Sequence, residues 1–251
     1  MTWRAALLLA GMMLLGLSPA AARVPQFEPG DTATVQAVLE GGAVSLADGR
    51  TVLPVGIAVP RGRQPFADKA KAALEKLLVG REVELRYAGN RLDRHGRILA
   101  QLFVGKRWIE GEMLSRGLAR VDSTTDNRTG IAEMLAREDK ARRARHGLWR
   151  EGFYAVRRAD ETGRFAESFQ LVEGRVVGVG HAEEAVFLNF AEDWHHGFSL
   201  RLAPEVVRLF RAEGVDPAAL NGKRLRVRGF IHGNERPTID ISHPEQIERL
   251  R

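Results

Sequence analysis

Residues 90–100 read NRLDRHGRILA, and the reading of this run decides how the whole chain is read. Asp93 and Gly96 are turn formers set between two stretches of strand character. Before them, Glu82 to Ala88 alternates Val83, Leu85 and Tyr87 with polar residues, the pattern of a half-buried strand. After them, Ile98 to Val104 is a second, more apolar strand. Arg91, Arg94, His95 and Arg97 make the connection basic. Two roles are open to Asp93: closing the turn and pairing with an arginine, or serving a site.

Upstream, TVQAVLEGGAVSL at 34–46 alternates on both sides of Gly41-Gly42, which predicts a hairpin. Asp48-Gly49 marks a second turn, and Arg50 to Val59 a third strand. Phe66, Ala70, Ala73, Leu74, Leu77 and Leu78 recur at helical spacing, and Gly80 is a helix-ending glycine. Downstream, Ile109 to Gly117 predicts a short helix. Ile131 to His146 predicts a long basic helix ended by Gly147.

Three strands, helix, two strands and two helices, carrying ATVQAVLEGGAVSLADGR, VGIAVP, RLDRHGR, LSRGLARV and ARRARHGLW in order, resemble the thermonuclease (staphylococcal nuclease-like) family over residues 33–150. The resemblance implies a five-stranded barrel of the OB type with flanking helices. It also implies a phosphodiesterase site in which two aspartates hold calcium, a glutamate handles the attacking water and two arginines neutralise the phosphate. Negative charge builds on the nonbridging oxygens during such attack, so preorganised cations supply much of the stabilisation.

Laid over this chain, the family pattern puts Gly42 and Ala58 at the two metal aspartates and Arg61 at the glutamate. Leu53 stands at the first arginine. Asp93 to Arg97 keeps the motif Asp-x-x-Gly-Arg, so Arg97 is the surviving, vestigial member of the catalytic set. Glycine, alanine and leucine have no group to ligate calcium or neutralise a phosphate, and arginine has no basic lone pair near neutral pH. The expectation is a lost nuclease that binds anions through Arg61, Arg91, Asp93, Arg94, His95 and Arg97, the cations gathered around one pocket. No resident metal or cofactor is expected. The rival reading is a working nuclease that uses Ca2+ on a site rebuilt from Glu40, Asp48, Asp93 or Asp122. A third reading is a cell-envelope scaffold.

Residues 151–168 are polar and aperiodic, reading as a linker or surface helix. From Phe169 a second pattern begins. Strands are expected at Leu171 to Val179, Ala185 to Phe190, Phe198 to Leu202, Leu225 to Ile231 and Thr238 to Ile241. Pro204 to Ala212 predicts one helix among them. The fold class expected is therefore mainly β with flanking helices (α+β): a nuclease-like OB barrel, then a smaller OB-like barrel over 169–250. No sequence repeat links the halves. Trp108, Trp149 and Trp194 read as core anchors. Asp193, His195 and His196, with His181, His232 and His243 elsewhere, could supply a zinc or copper site, but adjacent side chains on a strand point apart.

The 251 residues include no cysteine, which excludes disulfides and thiolate chemistry, and carry a formal charge of +6. Residues 23–150 hold 23 Lys+Arg against 16 Asp+Glu, and residues 151–251 hold 14 against 16. An anionic partner, nucleic acid or another polyanion, is thus expected on the first half. At the start, Arg4, the apolar run Ala5 to Leu17 and the small residues Ala20 to Ala22 read as a signal peptide over 1–22. Its 13 apolar residues fall short of the ~20 that span a bilayer. Export to a periplasm or the medium is expected, with no stable membrane span thereafter.

Overall fold

The computed structural model describes residues 24–193 and 195–250, so the expected leader and Trp194 lie outside the described residues. The first barrel is built from β1 (Glu28–Val38), β2 (Val44–Leu46) and β3 (Thr51–Pro54), then, after β4 (Gly56–Ala58) and α1 (Ala67–Leu78), β5 (Glu82–Tyr87) and β6 (Ile98–Val104). β1 pairs antiparallel with β2 through its end and with β5 through its beginning. β5 pairs antiparallel with β6, and β3 closes the barrel by running parallel to β6. The helix closes one side because Ala70, Leu74, Leu77 and Leu78 share a face and are buried. They meet Val44, Leu46, Val52, Leu85 and Leu102 in one apolar cluster.

β7 (Arg107–Trp108), α2 (Ile109–Ser115), β8 (Arg120–Asp122) and α3 (Ile131–Arg143) follow. The strand expected over Arg50 to Val59 is split. Gly56 adopts φ +83°, and a Cβ there would lie 2.6 Å from the Met134 sulfur. Only glycine fits both demands, and the bend releases β4 from the barrel to pair with β8. The basic helix stops at Arg143 rather than His146, since Arg145 already takes φ +52°.

The second sheet contains β9 (Arg157–Arg158), β10 (Ser168–Arg175), β11 (Gly178–Ala182), β12 (Ala185–Asn189) and β13 (Ser199–Leu202). After α4 (Pro204–Ala212) come β14 (Arg224–His232), β15 (Thr238–Ile241) and β16 (Ile247–Arg249). β9 and β16 are additions to the expected strands, and the strand expected at Leu171 to Val179 is divided between β10 and β11. β10 and β11 are one strand interrupted at Val176 and Val177; the first part pairs with β14 and the second with β12, so the sheet curls back on itself. β13 runs parallel to β15, which is antiparallel to β14. These are the pairings of the first barrel, with a helix inserted at the same place. A repeat with no trace in the residues is plain in the topology.

Residues 151–168 are not a loose linker: they include a 3-10 helix over Ala159–Phe165 and are packed onto the second sheet. Tyr154 and Thr162 are buried, and β9 pairs in parallel with β10. Ala141, Leu148, Trp149, Tyr154 and Leu171 form a third apolar cluster that joins α3 to β10. Burying side chains of this size contributes on the order of 2 kcal/mol each, as an upper estimate.

Candidate functional site

β4 and β8, both outside the barrel, build the candidate site. Their antiparallel register sets Ala58 opposite Arg120 and Gly56 opposite Asp122. With Gly41, Arg61 and Gln64 they line a pocket of about 260 Å³, whose far wall is Tyr154 and Phe169. The pocket thus opens between the two barrels.

Buried charge holds β8 in place. The Val121 amide donates to Glu138 Oε1 at 2.7 Å, and the Val121 carbonyl accepts from Arg228 Nη1 at 3.2 Å. Arg228 lies 2.8 Å from Glu138 and 2.7 Å from Glu248, and both Arg228 and Glu138 are only 2% exposed. A strand with both peptide groups of its central residue gripped cannot slide, so Arg120 and Asp122 are held facing the pocket.

Arg120 donates from Nη1 to the Phe169 carbonyl at 3.1 Å and lies over the Phe169 and Tyr154 rings at 4.8 and 5.1 Å. Burial pulls its pKa down from the arginine value, yet guanidinium stays charged at any physiological pH. Asp122 is open to the pocket but enclosed by protein. That desolvation raises its carboxyl above 3.8, against the pull of Arg120, Arg228 and Arg61. The loop carrying Arg61 is pinned at two points. The Arg61 amide donates to Gln64 Oε1 at 3.0 Å, and Tyr154 Oη donates to the Pro65 carbonyl at 2.7 Å. Phe66 then takes φ +69°, a region bulky residues avoid.

Of the residues predicted to bind, Arg61 lines this pocket. Arg91, Arg94 and Arg97 do not join it, a departure from the expected ring of cations. Asp93 accepts from the His95 and Arg97 amides at 2.8 and 2.9 Å and from Arg97 Nε at 2.7 Å. Burial alone would raise the Asp93 carboxyl, but these bonds outweigh it and hold it at about 2. Of the two roles open to Asp93, the first describes the geometry: it closes its own turn and pairs with Arg97. Arg97 is turned toward Asp93. Arg91 pairs with Glu28 and stacks 4.4 Å over Tyr87, and Arg94 donates to His95 at 3.1 Å. Arg94 and Arg97 are thus satisfied within their own turn, and Arg91 is satisfied by Glu28 on β1 and the Tyr87 ring on β5.

Arg120, Gln64, Tyr154 and Phe169 were not foreseen. One clue was available: Arg120 and Asp122 stand two apart in a strand and therefore share a face.

The pocket does not suit a hard divalent cation. Such ions need several oxygen ligands, and the lining offers Asp122 beside two guanidinium groups. Among the described residues, no group of three or more histidines and carboxylates is gathered where an ion could sit. Gly42 adopts φ +86°, and a Cβ there would lie 2.7 Å from Val59 Cγ2. An aspartate is therefore sterically unwelcome at that position in this backbone.

Residues 51–151 match the family model described as Staphylococcal nuclease homologue. An uncharacterized 38.1 kDa protein of Capnoides sempervirens is 35% identical over 94 residues, which are 38% of this chain and 26% of that protein. The probable staphylococcal-like nuclease CAN2 of Oryza sativa subsp. japonica is 33% identical over 97 residues, 39% of this chain and 25% of that protein. Endonuclease YncB of Bacillus subtilis (strain 168) is 27% identical over 97 residues, 38% of this chain and 46% of that protein. The chain thus spans about a quarter of the plant relatives' length and under half of the Bacillus protein's. Residues 51–151 are a staphylococcal nuclease-like domain.

Proposed function

We propose that this protein is an exported nuclease-like module that binds nucleic acid phosphate without cleaving it. The observation that carries the reading is the make-up of the pocket: Arg61 and Arg120 converge there with Gln64 and outnumber the acid Asp122, while the side chains of Gly41 and Ala58 offer no ligand to a metal. The relatives named as nucleases and the matching family model support nucleic acid as the partner. Two guanidinium groups and an amide suit a phosphodiester, since arginine presents planar paired donors to phosphate. Arg97, held by Asp93, has no cleavage role in this reading. The apolar run after Arg4 supports export, and no helix among the described residues is long and apolar enough to cross a membrane.

The test is an end-labelled oligodeoxynucleotide mixed with the full chain and calcium, magnesium or manganese. Anisotropy should report binding that weakens steeply with salt, with a log–log slope of about −0.7 for each phosphate contacted on a single strand. Gels should show the label intact. Arg61→Glu should weaken binding more than Arg249→Glu. Divalent-dependent cleavage that is lost in Arg97→Ala would overturn the reading, and so would equal effects of the two charge reversals.

A further inference from the structure

A second arginine cluster lies on the same strand as the pocket. Along β10, alternate side chains share a face. Phe169 lines the pocket between the barrels, Leu171 is buried, and Glu173 with Arg175 lines another groove of about 440 Å³. Four residues of strand put the two ends about 13 Å apart. The second groove is walled by Arg157, Arg158, Arg175 and Arg224 with the acid Glu173, and Asp160, outside the lining, pairs with Arg158 at 2.5 Å, so Arg157, Arg175 and Arg224 carry the surplus.

This cluster works against the sheet that carries it. Arg175 and Arg224 are direct partners in the β10–β14 ladder, and like charges facing each other across strands destabilise a sheet. Glu173 compensates little, because it lies 2.8 Å from Arg226 and 3.4 Å from Arg224 and so serves both. A bound anion would relieve the repulsion. The surplus is hidden in the overall composition by acids elsewhere in the second half.

Side chains in contact bridge the two cation sites. Tyr154, in the pocket wall, meets Phe153 ring to ring at 4.8 Å. Phe153 is 47% exposed. Arg157, in the groove wall, donates to the Phe153 and Gly152 carbonyls at 2.9 Å. Cations at both ends and an open aromatic face between them are the parts of a single-strand track, in which phosphates meet arginines and an unstacked base lies on the ring. A duplex keeps its bases stacked and has none to offer Phe153.

We propose that single-stranded nucleic acid runs over the surface from the Arg61–Arg120 pocket, past the exposed Phe153, to the groove of Arg157, Arg158, Arg175 and Arg224. The inference rests on the phosphate-binding reading of the pocket and extends it onto the second barrel.

The full chain is titrated with labelled oligothymidylates of about three and about twelve nucleotides, bracketing one OB site. The longer strand should bind at least roughly tenfold tighter, with a steeper salt slope. Arg158→Gln/Arg175→Gln and Phe153→Ala should each remove much of that gain while leaving the short strand's affinity unchanged. Arg208→Gln, on the exposed face of α4, should change neither, and melting curves should confirm that every variant is folded. If both strands bind alike and Arg61→Glu weakens both, the track is refuted while the pocket reading stands. If neither binds at low salt, both fail. If an abasic strand of the same length binds as tightly and ignores Phe153→Ala, the surface is a general polyanion site and the single-strand inference is overturned.

Discussion

Asp122 is the acid in a pocket of cations, and its environment makes it adjustable. Its carboxyl is raised by enclosure, so it takes up a proton at a higher pH than a free aspartate. Protonation removes the negative charge beside Arg61 and Arg120, so oligonucleotide affinity should rise as pH falls into that range. Asp122→Asn should bind severalfold tighter at neutral pH and lose that part of the pH dependence, read by anisotropy across a pH series. Glu110 gives a separate test. Fully buried, it accepts the Leu102 amide at 3.0 Å, and desolvation raises its pKa to about 8. A raised carboxyl binds its proton more tightly in the folded state, so stability should fall as pH climbs from about 4.5 toward 8. Denaturant unfolding should show this slope flattened in Glu110→Gln.

At the scale of elements, β8 depends on α3 and β14 for its position. Arg228→Ala leaves Glu138 buried and unpaired and should cost ~3–5 kcal/mol in chemical denaturation. Replacing both partners, as Arg228→Met with Glu138→Leu, removes the stranded charge and should recover much of that loss. Recovery should stop short of complete, since the Val121 amide still loses its acceptor at a cost of ~1–3 kcal/mol. A double variant no more stable than Arg228→Ala would show that the ion pair is not what anchors the strand. Arg228→Ala should also weaken oligonucleotide binding, because Arg120 and Asp122 would no longer be held.

Across the whole molecule, the halves are joined by an apolar cluster and by polar contacts. Arg128 bonds Glu245 at 2.7 Å and also pairs with Glu213. Ser123 and His243 meet at 2.7 Å. The two barrels should therefore unfold in one transition, and a calorimetric scan that separates into two would contradict this. His243 is fully buried, with Ser123 on Nε2 and Ser242 on Nδ1; burial lowers its pKa, opposed by Glu245 and Glu213 and aided by Arg128 and Arg228. A depressed histidine contributes stability that is present above 6.5 and lost as pH falls through its folded pKa. Melting temperature should accordingly drop below pH 6.5 in the wild type and drop less in His243→Gln.

The residues alone determined the first barrel. Alternation in β5 and β6, helical spacing in α1 and the turn at Asp93–Gly96 are local patterns that a chain can carry in a dozen residues. The expectation that Gly42, Ala58 and Arg61 stand where the family keeps carboxylates came from the resemblance, not from local pattern. The split of the third strand follows from the positive φ of Gly56, and the packing of Met134 that keeps a side chain out of that position is visible only in the folded chain. The second barrel was read in outline, and its short edge strands were lost because two or three residues hold no period. Tertiary structure decided where the cations meet. Arg94 and Arg97 are satisfied by neighbours in their own turn, and Arg91 by Glu28 across the fold on β1. Arg61 and Arg120 are brought together by a strand register and a domain contact, and Phe169 reaches them from 49 residues beyond Arg120. Sequence spacing fixes bonds of short range, whereas a pocket between two barrels exists only once both have folded and docked.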